Sequence, residues 1–331
     1  MKEKIFNTID NIRNLLSKPF IFNELVEGTI EFNKCYASLD LLEDTEQAIE
    51  YYKNTDFESN NYGQKYLFIY GLFEAFYIQE QAIQCIFEIS KVNKDSINTE
   101  LEKLREIKKL RHDIAGHSPF RNQKNCLYST YLSQPALYKE EIKYRKSNNI
   151  EPVTVNIVEQ ISIQEECILR ILNETHEHLI KIVNEHYLTF KEEKLNEIFE
   201  KNYLYLREKI FNENDFEFAL TKLKQIICNL KSKLNERFYN WEKLNTISYL
   251  IKDVDKIFEY FDKNKEVIIT DIEERAHIKK NFIENLVHKF DELEEISQEI
   301  DGEYENYFKE KENVEVFMPS INFSNFTPND I

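Results

Sequence analysis

Glycine and proline are scarce here, 5 and 6 residues in a chain of 331. That excludes a fold built on many tight turns and makes long helices joined by few connections the default. The five cysteines (Cys35, Cys85, Cys126, Cys167 and Cys228) are scattered, odd in number and never spaced C-x-x-C. This argues against a disulfide scaffold and fits reduced thiols, most of them core filler, in a cytoplasmic protein. Long apolar runs are missing too. The most apolar segment, Tyr66 to Ile78, carries Glu74 and falls short of the roughly 20 residues a bilayer crossing needs. It reads as a buried core helix, with no membrane partner expected. The start, Met1-Lys2-Glu3-Lys4-Ile5-Phe6-Asn7, lacks the apolar stretch and small-residue cleavage site of a signal peptide. Positive charge is also in deficit, with 43 Lys and Arg against 60 Asp and Glu for a net −17. Such a chain repels a polyanion at long range, which argues against simple non-specific nucleic-acid binding. There is no internal repeat and no low-complexity domain.

The charge that is present is unevenly placed. Residues 271–320 hold 15 acids against 6 bases, whereas residues 103–124 hold seven bases against two acids. Helical spacing of apolar residues runs through most of the chain. Residues 2–17 form one helix closed by Ser17-Lys18-Pro19, and residues 21–54 form two, broken near Ser38-Leu39-Asp40. Tyr62 to Val92 is apolar on almost every side, as expected of a helix at the centre of a bundle. The next helix opens with a capping box, Thr99-Glu100-Leu101-Glu102, and carries the stripe Leu101, Leu104, Ile107, Leu110, Ile114. Past Pro119 come Pro135, Pro152 and the alternating Val153-Thr154-Val155-Asn156-Ile157, which predict a loop with a small β-hairpin. Helical periodicity resumes around Ser162, and the bundle closes near 190. Residues 191–211, 215–238, 241–264 and 268–300 predict further helices, and Asp301 to Ile331 an extended tail that Phe317, Phe323 or Phe326 would dock. The expected architecture is all-α: a bundle over 1–190 with a β-hairpin insertion, then an acidic helical region over 191–331. The stretch Glu174-Thr175-His176-Glu177-His178 lacks an i,i+4 histidine pair, and His186 lies too far along to complete one. These read as solvent-facing rather than metal-binding.

The segment that carries chemistry is Lys109-Leu110-Arg111-His112-Asp113-Ile114-Ala115-Gly116-His117-Ser118-Pro119. At about 100° per residue, Arg111 falls inside the apolar stripe, and an arginine on the packed side needs a partner or a task. On a straight helix Arg111 and His117 stand about 120° apart, so they do not face each other. Either Gly116 bends the helix end or a second copy of the chain completes the site. Asp113, four residues before His117, is placed to orient the imidazole.

Leu104 to Pro119, with the apolar helix from Tyr66 to Phe76 ahead of it, resembles the HEPN superfamily of helical-bundle proteins. Its signature is an arginine, a polar residue directly after it, and a histidine after a short spacer; here these are Arg111, His112 and His117. Ser118 separates His117 from Pro119, where the related variant has histidine followed at once by proline. Pro119 also stands where some toxin members carry a tyrosine that is modified. The resemblance covers roughly residues 60–190 and implies a metal-independent, cofactor-free endoribonuclease, a toxin or anti-phage effector. It would work as a homodimer, with an antitoxin or regulatory protein as a further partner. RNA supplies its own nucleophile, the 2′-hydroxyl. His117 can move protons near neutral pH, and Arg111 can stabilise the phosphorane. His112 and Asp113 would support them, with Lys108, Arg121 and Lys124 on the RNA backbone. The alternative is a non-catalytic binding or dimerisation module, with Arg111 paired to Glu74 and His117 a helix-terminal residue favoured by the macrodipole.

Overall fold

The structure, a computed structural model, describes residues 1–18, 20–21, 25, 29–58, 61–116, 121–123, 126–149, 151–200, 203–212, 214–238, 245–269 and 276–317. The chain divides into two compact units, Met1–Val183 and Asn184–Ile331.

In the first unit, helices α1 (Lys2–Leu16), α2 (Thr29–Asn54) and α3 (Tyr62–Ile89) precede the motif helix α4 (Asn98–Ile114). Helix α2 runs unbroken through Ser38-Leu39-Asp40, where a break was expected. Cys35, Ser38, Leu39, Leu42, Thr45, Glu46 and Ile49 keep one face buried across that point. Thr45 also returns its hydroxyl hydrogen to the Leu41 carbonyl at 2.6 Å, so packing overrides the weak helix preference of serine and aspartate. Helix α3 is central as its composition predicts, burying Ile69, Leu72, Phe73, Phe76, Gln79 and Ile83. It starts with a capping box of its own, Asn61 with Gln64. It ends in a Schellman turn, with Lys91 at φ 55° and Val92 N–H donating to the Phe87 carbonyl at 3.1 Å.

Thr99 and Glu102 do not cap α4. A short 3₁₀ turn, Lys94–Ile97, runs straight into Asn98, and the Asn93 side chain caps that turn by accepting from Asp95 N–H. The helix therefore begins upstream of the expected box.

The β insertion is larger than one hairpin. Strands β1 (Arg121–Gln123) and β2 (Cys126–Tyr128) pair antiparallel, and β3 (Thr130–Leu137), β4 (Glu141–Lys146) and β5 (Val153–Asn156) form an antiparallel meander. Pro135 lies where the β3–β4 register shifts between Leu132 and Leu137, a position where a missing N–H is tolerated. Leu132, Leu137, Ile142, Tyr144 and Val155 point inward and join the core formed by α2, α3 and α4. Helix α5 (Ile157–Thr189) begins at Ile157 rather than around Ser162, because the Asn156 side chain accepts Glu159 N–H at 3.1 Å. Its residues from Asn184 belong to the second unit.

The second unit holds α6 (Glu197–Glu200), α7 (Tyr203–Lys209), α8 (Phe216–Phe238), α9 (Asn245–Lys263), α10 (Lys265–Ile269) and α11 (Ala276–Phe317). Two short helices thus replace the single one expected over 191–211. Helix α11 continues well past residue 300, where a tail was expected, because Asp301 and Tyr304 are buried at helical spacing. Asp301 accepts Leu195 N–H, Asn196 N–H and Arg237, the last at 3.1 Å. His186, expected at the surface, is buried with Nε2 2.7 Å from the Tyr304 hydroxyl. Phe323, Phe326 and the side chain of Phe317, expected to dock the tail, lie outside the described part. Among the described residues no helix is long and apolar enough to cross a membrane.

Candidate functional site

The motif sits at the C-terminal turn of α4, where Ala115 N–H and Gly116 N–H both donate to the Arg111 carbonyl at 2.8 and 3.1 Å. A Cβ on Gly116 would lie 3.1 Å from the His112 carbonyl oxygen, so a side chain there would press on the helix end and require a shift of a few tenths of an ångström. The helix stops at Ile114. The straight-helix angle between Arg111 and His117 therefore does not apply. His117 and Lys124 lie outside the described residues, and Arg121 is placed in β1 without a described side chain.

The last turns of α4 face helix α3 through polar groups. Arg111 donates from Nε and Nη2 to one oxygen of Glu74, at 3.0 and 2.7 Å. Its guanidinium carbon lies 4.8 Å from the centre of the Tyr77 ring. The Arg111 side chain keeps 22% of its surface exposed. Its Nη1 approaches His112 Nδ1 at 3.4 Å, and the His112 ring meets Tyr77 edge-on. Lys108 pairs with Glu80 at 2.8 Å and covers the same tyrosine at 5.1 Å. Glu74, Tyr77 and Glu80, spaced i, i+3 and i+6 on α3, thus meet Lys108, Arg111 and His112 on α4. Two of the seven local bases, Lys108 and Arg111, are thereby compensated by acids that are distant in sequence. Tyr77 and Glu80 are additions to the site. Their signal was available as polar residues at helical spacing in an otherwise apolar helix.

Asp113, two residues beyond Arg111, points to the other side. It is buried and accepts from the Tyr128 hydroxyl at 3.3 Å, the Tyr144 hydroxyl at 3.1 Å and Lys146 Nζ at 2.9 Å. These partners come from both sheets of the insertion, Tyr128 from β2 and Tyr144 and Lys146 from β4, so Asp113 ties the insertion to the motif helix. Its expected bond to His117 involves a residue outside the described part.

A second polar cluster lies inside the same unit. Glu46 of α2 is fully buried and accepts from the Gln79 amide at 3.2 Å, while its Oε1 has no hydrogen-bond partner. Burial first and the Glu165 carboxylate second push the Glu46 carboxyl up to about 7. Glu165 in turn pairs with Lys53. Among the described residues there is no group of three or more His, Cys, Asp or Glu side chains arranged to hold a metal. No family model, curated protein or solved structure matches the chain.

Proposed function

We propose that this chain is a metal-independent endoribonuclease of HEPN type, serving as a toxin or anti-phage effector and working as a homodimer. The observation that carries this reading is Arg111. An unbranched cation on the last turn of a helix is normally mobile, but here its plane is fixed by Glu74 and Tyr77 and it stays partly open to solvent. Nη1 has no carboxylate partner among the described residues and meets the His112 ring nitrogen at 3.4 Å, a long contact that a phosphate oxygen would replace. In the reaction, the RNA 2′-hydroxyl attacks the adjacent phosphorus and His117 takes its proton. Arg111 stabilises the charged phosphorane. The 5′-oxygen leaves with a proton from His117 of a second copy, and the product carries a 2′,3′-cyclic phosphate. Lys108, Arg121 and Lys124 would steady the RNA backbone, and an antitoxin or regulatory protein would hold the enzyme silent.

Labelled RNA incubated with the purified protein in EDTA tests this. Cleavage to 2′,3′-cyclic phosphate ends is expected, abolished by His117→Ala and lowered about 10²-fold or more by Arg111→Ala. A second reading, a non-catalytic binding or dimerisation module, is favoured by one specific observation: both Arg111–Glu74 bonds serve equally well as a structural tie. On that reading RNA stays intact, and Arg111→Ala and Glu74→Ala lower the melting temperature by the same amount and not additively.

A further inference from the structure

Away from the motif helix, a cleft of about 340 Å³ opens between the C-terminal end of α2, the turn joining β3 to β4 and the first turns of α5. Its volume sits at the lower end of the roughly 300–1,000 Å³ typical of small-molecule sites. Tyr52, Val158 and Ile161 give it an apolar wall, and Val158 keeps 57% of its surface exposed. The charges along the lining balance, two lysines against two glutamates. Of these, Lys53 and Glu165 pair with each other. Lys139 and Glu140, neighbours in the turn, differ in that among the described residues neither belongs to an ion pair. The Lys139 ammonium donates to the Thr55 carbonyl at 2.8 Å, which leaves two of its hydrogens for a ligand. The Glu140 carboxylate is near enough to Tyr52 to add to burial in raising the tyrosine hydroxyl above its ordinary pKa, so it stands beside the apolar wall. The turn is clamped from both sides. Tyr52 donates its hydroxyl hydrogen to the Lys139 carbonyl at 3.0 Å, and Ile157 N–H donates to the Glu140 carbonyl at 2.7 Å. The backbone that carries both charges is thus fixed before any ligand arrives.

The geometry points to a binding site for an apolar α-amino acid, its carboxylate meeting Lys139, its ammonium meeting Glu140 and its side chain lying against Tyr52, Val158 and Ile161. A charge-balanced cleft disfavours a phosphate or any other ligand of high net charge, whereas one unpaired charge of each sign on adjacent residues suits a zwitterion. The apolar wall then selects the side chain. Arg111 is not among the residues lining this cleft, so amino-acid binding does not depend on RNA cleavage.

Calorimetric titration of the full chain with L-leucine, L-phenylalanine, glycine, leucinamide and 4-methylpentanoate tests it. Saturable binding of leucine or phenylalanine is expected, weakened about tenfold or more by Lys139→Gln and by Glu140→Gln, and abolished by Val158→Arg, which fills the mouth. Glu140 and Val158 are exposed, so circular dichroism should show an intact fold in those variants. Leucinamide lacks the carboxylate and 4-methylpentanoate lacks the ammonium, so each should bind roughly tenfold more weakly than leucine, and glycine, without an apolar side chain, more weakly still. Leucinamide or 4-methylpentanoate matching leucine, glycine binding as tightly, parental affinity in Val158→Arg, or no binding of any probe at millimolar concentration overturns the site.

Discussion

Lys91 holds a left-handed backbone (φ 55°) at the end of α3, a conformation that costs a side-chain-bearing residue roughly 1 kcal/mol and glycine almost nothing. In a chain with 5 glycines, a lysine fills the position that glycine usually takes. Lys91→Gly is therefore expected to stabilise the protein by about 0.5–1 kcal/mol, read as a higher urea midpoint with an unchanged slope. Glu46 shows the same point for charge. With its folded carboxyl raised to about 7 from the ordinary 4.5, its contribution to stability is fully present below about pH 4.5 and is lost as pH rises through about 7. The amount is on the order of 3 kcal/mol. Glu46→Gln should be more stable than the parent at pH 8 and flatten the profile between pH 5 and 8; an unaltered profile would show that Glu46 is ionised in the fold.

At the level of elements, the informative joint is between α4 and the insertion. Helical spacing marks Asp113 as a polar residue beside Ile114, placed four residues before His117, and gives no sign of partners in the β insertion. The fold turns it into the acceptor for Tyr128, Tyr144 and Lys146, three donors contributed by three-residue and six-residue strands. Removing the acceptor strands buried donors, which costs more than the bonds contribute while made. Asp113→Ala is expected to cost about 3 kcal/mol and to speed amide hydrogen exchange across β3, β4 and β5, while Tyr144→Phe costs about 1 kcal/mol. If exchange in the meander stays at its parental rate in Asp113→Ala, the tie is not what holds the sheet. The breaks that sequence misplaced have a common cause. Ser38, Asp40 and Thr99 look like helix punctuation by type, but burial of their neighbours and capping by Asn93 decide where the helices run.

Across the whole molecule, Glu46 and His186 predict opposite pH responses for the two units. In the second unit, burial and the nearby Arg237 hold the His186 imidazole down to about 4 from the ordinary 6.5. Its contribution is present above about pH 6.5 and lost as pH falls through about 4, the reverse of Glu46. Hydrogen exchange corrected for intrinsic rates should show Asn184–Phe317 loosening first in acid and Met1–Val183 loosening first in mild alkali. His186→Gln should remove most of the acid limb, and a single common limb for both units would contradict the assignment. Glycine and proline scarcity, 3.6-residue periodicity and the apolar run from Tyr66 to Ile78 were sufficient to determine a mostly helical chain with α3 at a core and a β insertion after the motif. Those are local signals, carried by each residue's own size, polarity and backbone freedom. Long-range contacts decided the rest: Arg111 on Glu74 and Tyr77, Asp113 on the sheet, and Asp301 keeping α11 helical past residue 300. Partners separated by 31 to 37 residues, as in Asp113–Tyr144 and Arg111–Glu74, meet only once the elements pack. The sequence offered the Arg111–Glu74 pair as one of two alternatives, but for Asp113 and Asp301 it could not say which of the described side chains each would face.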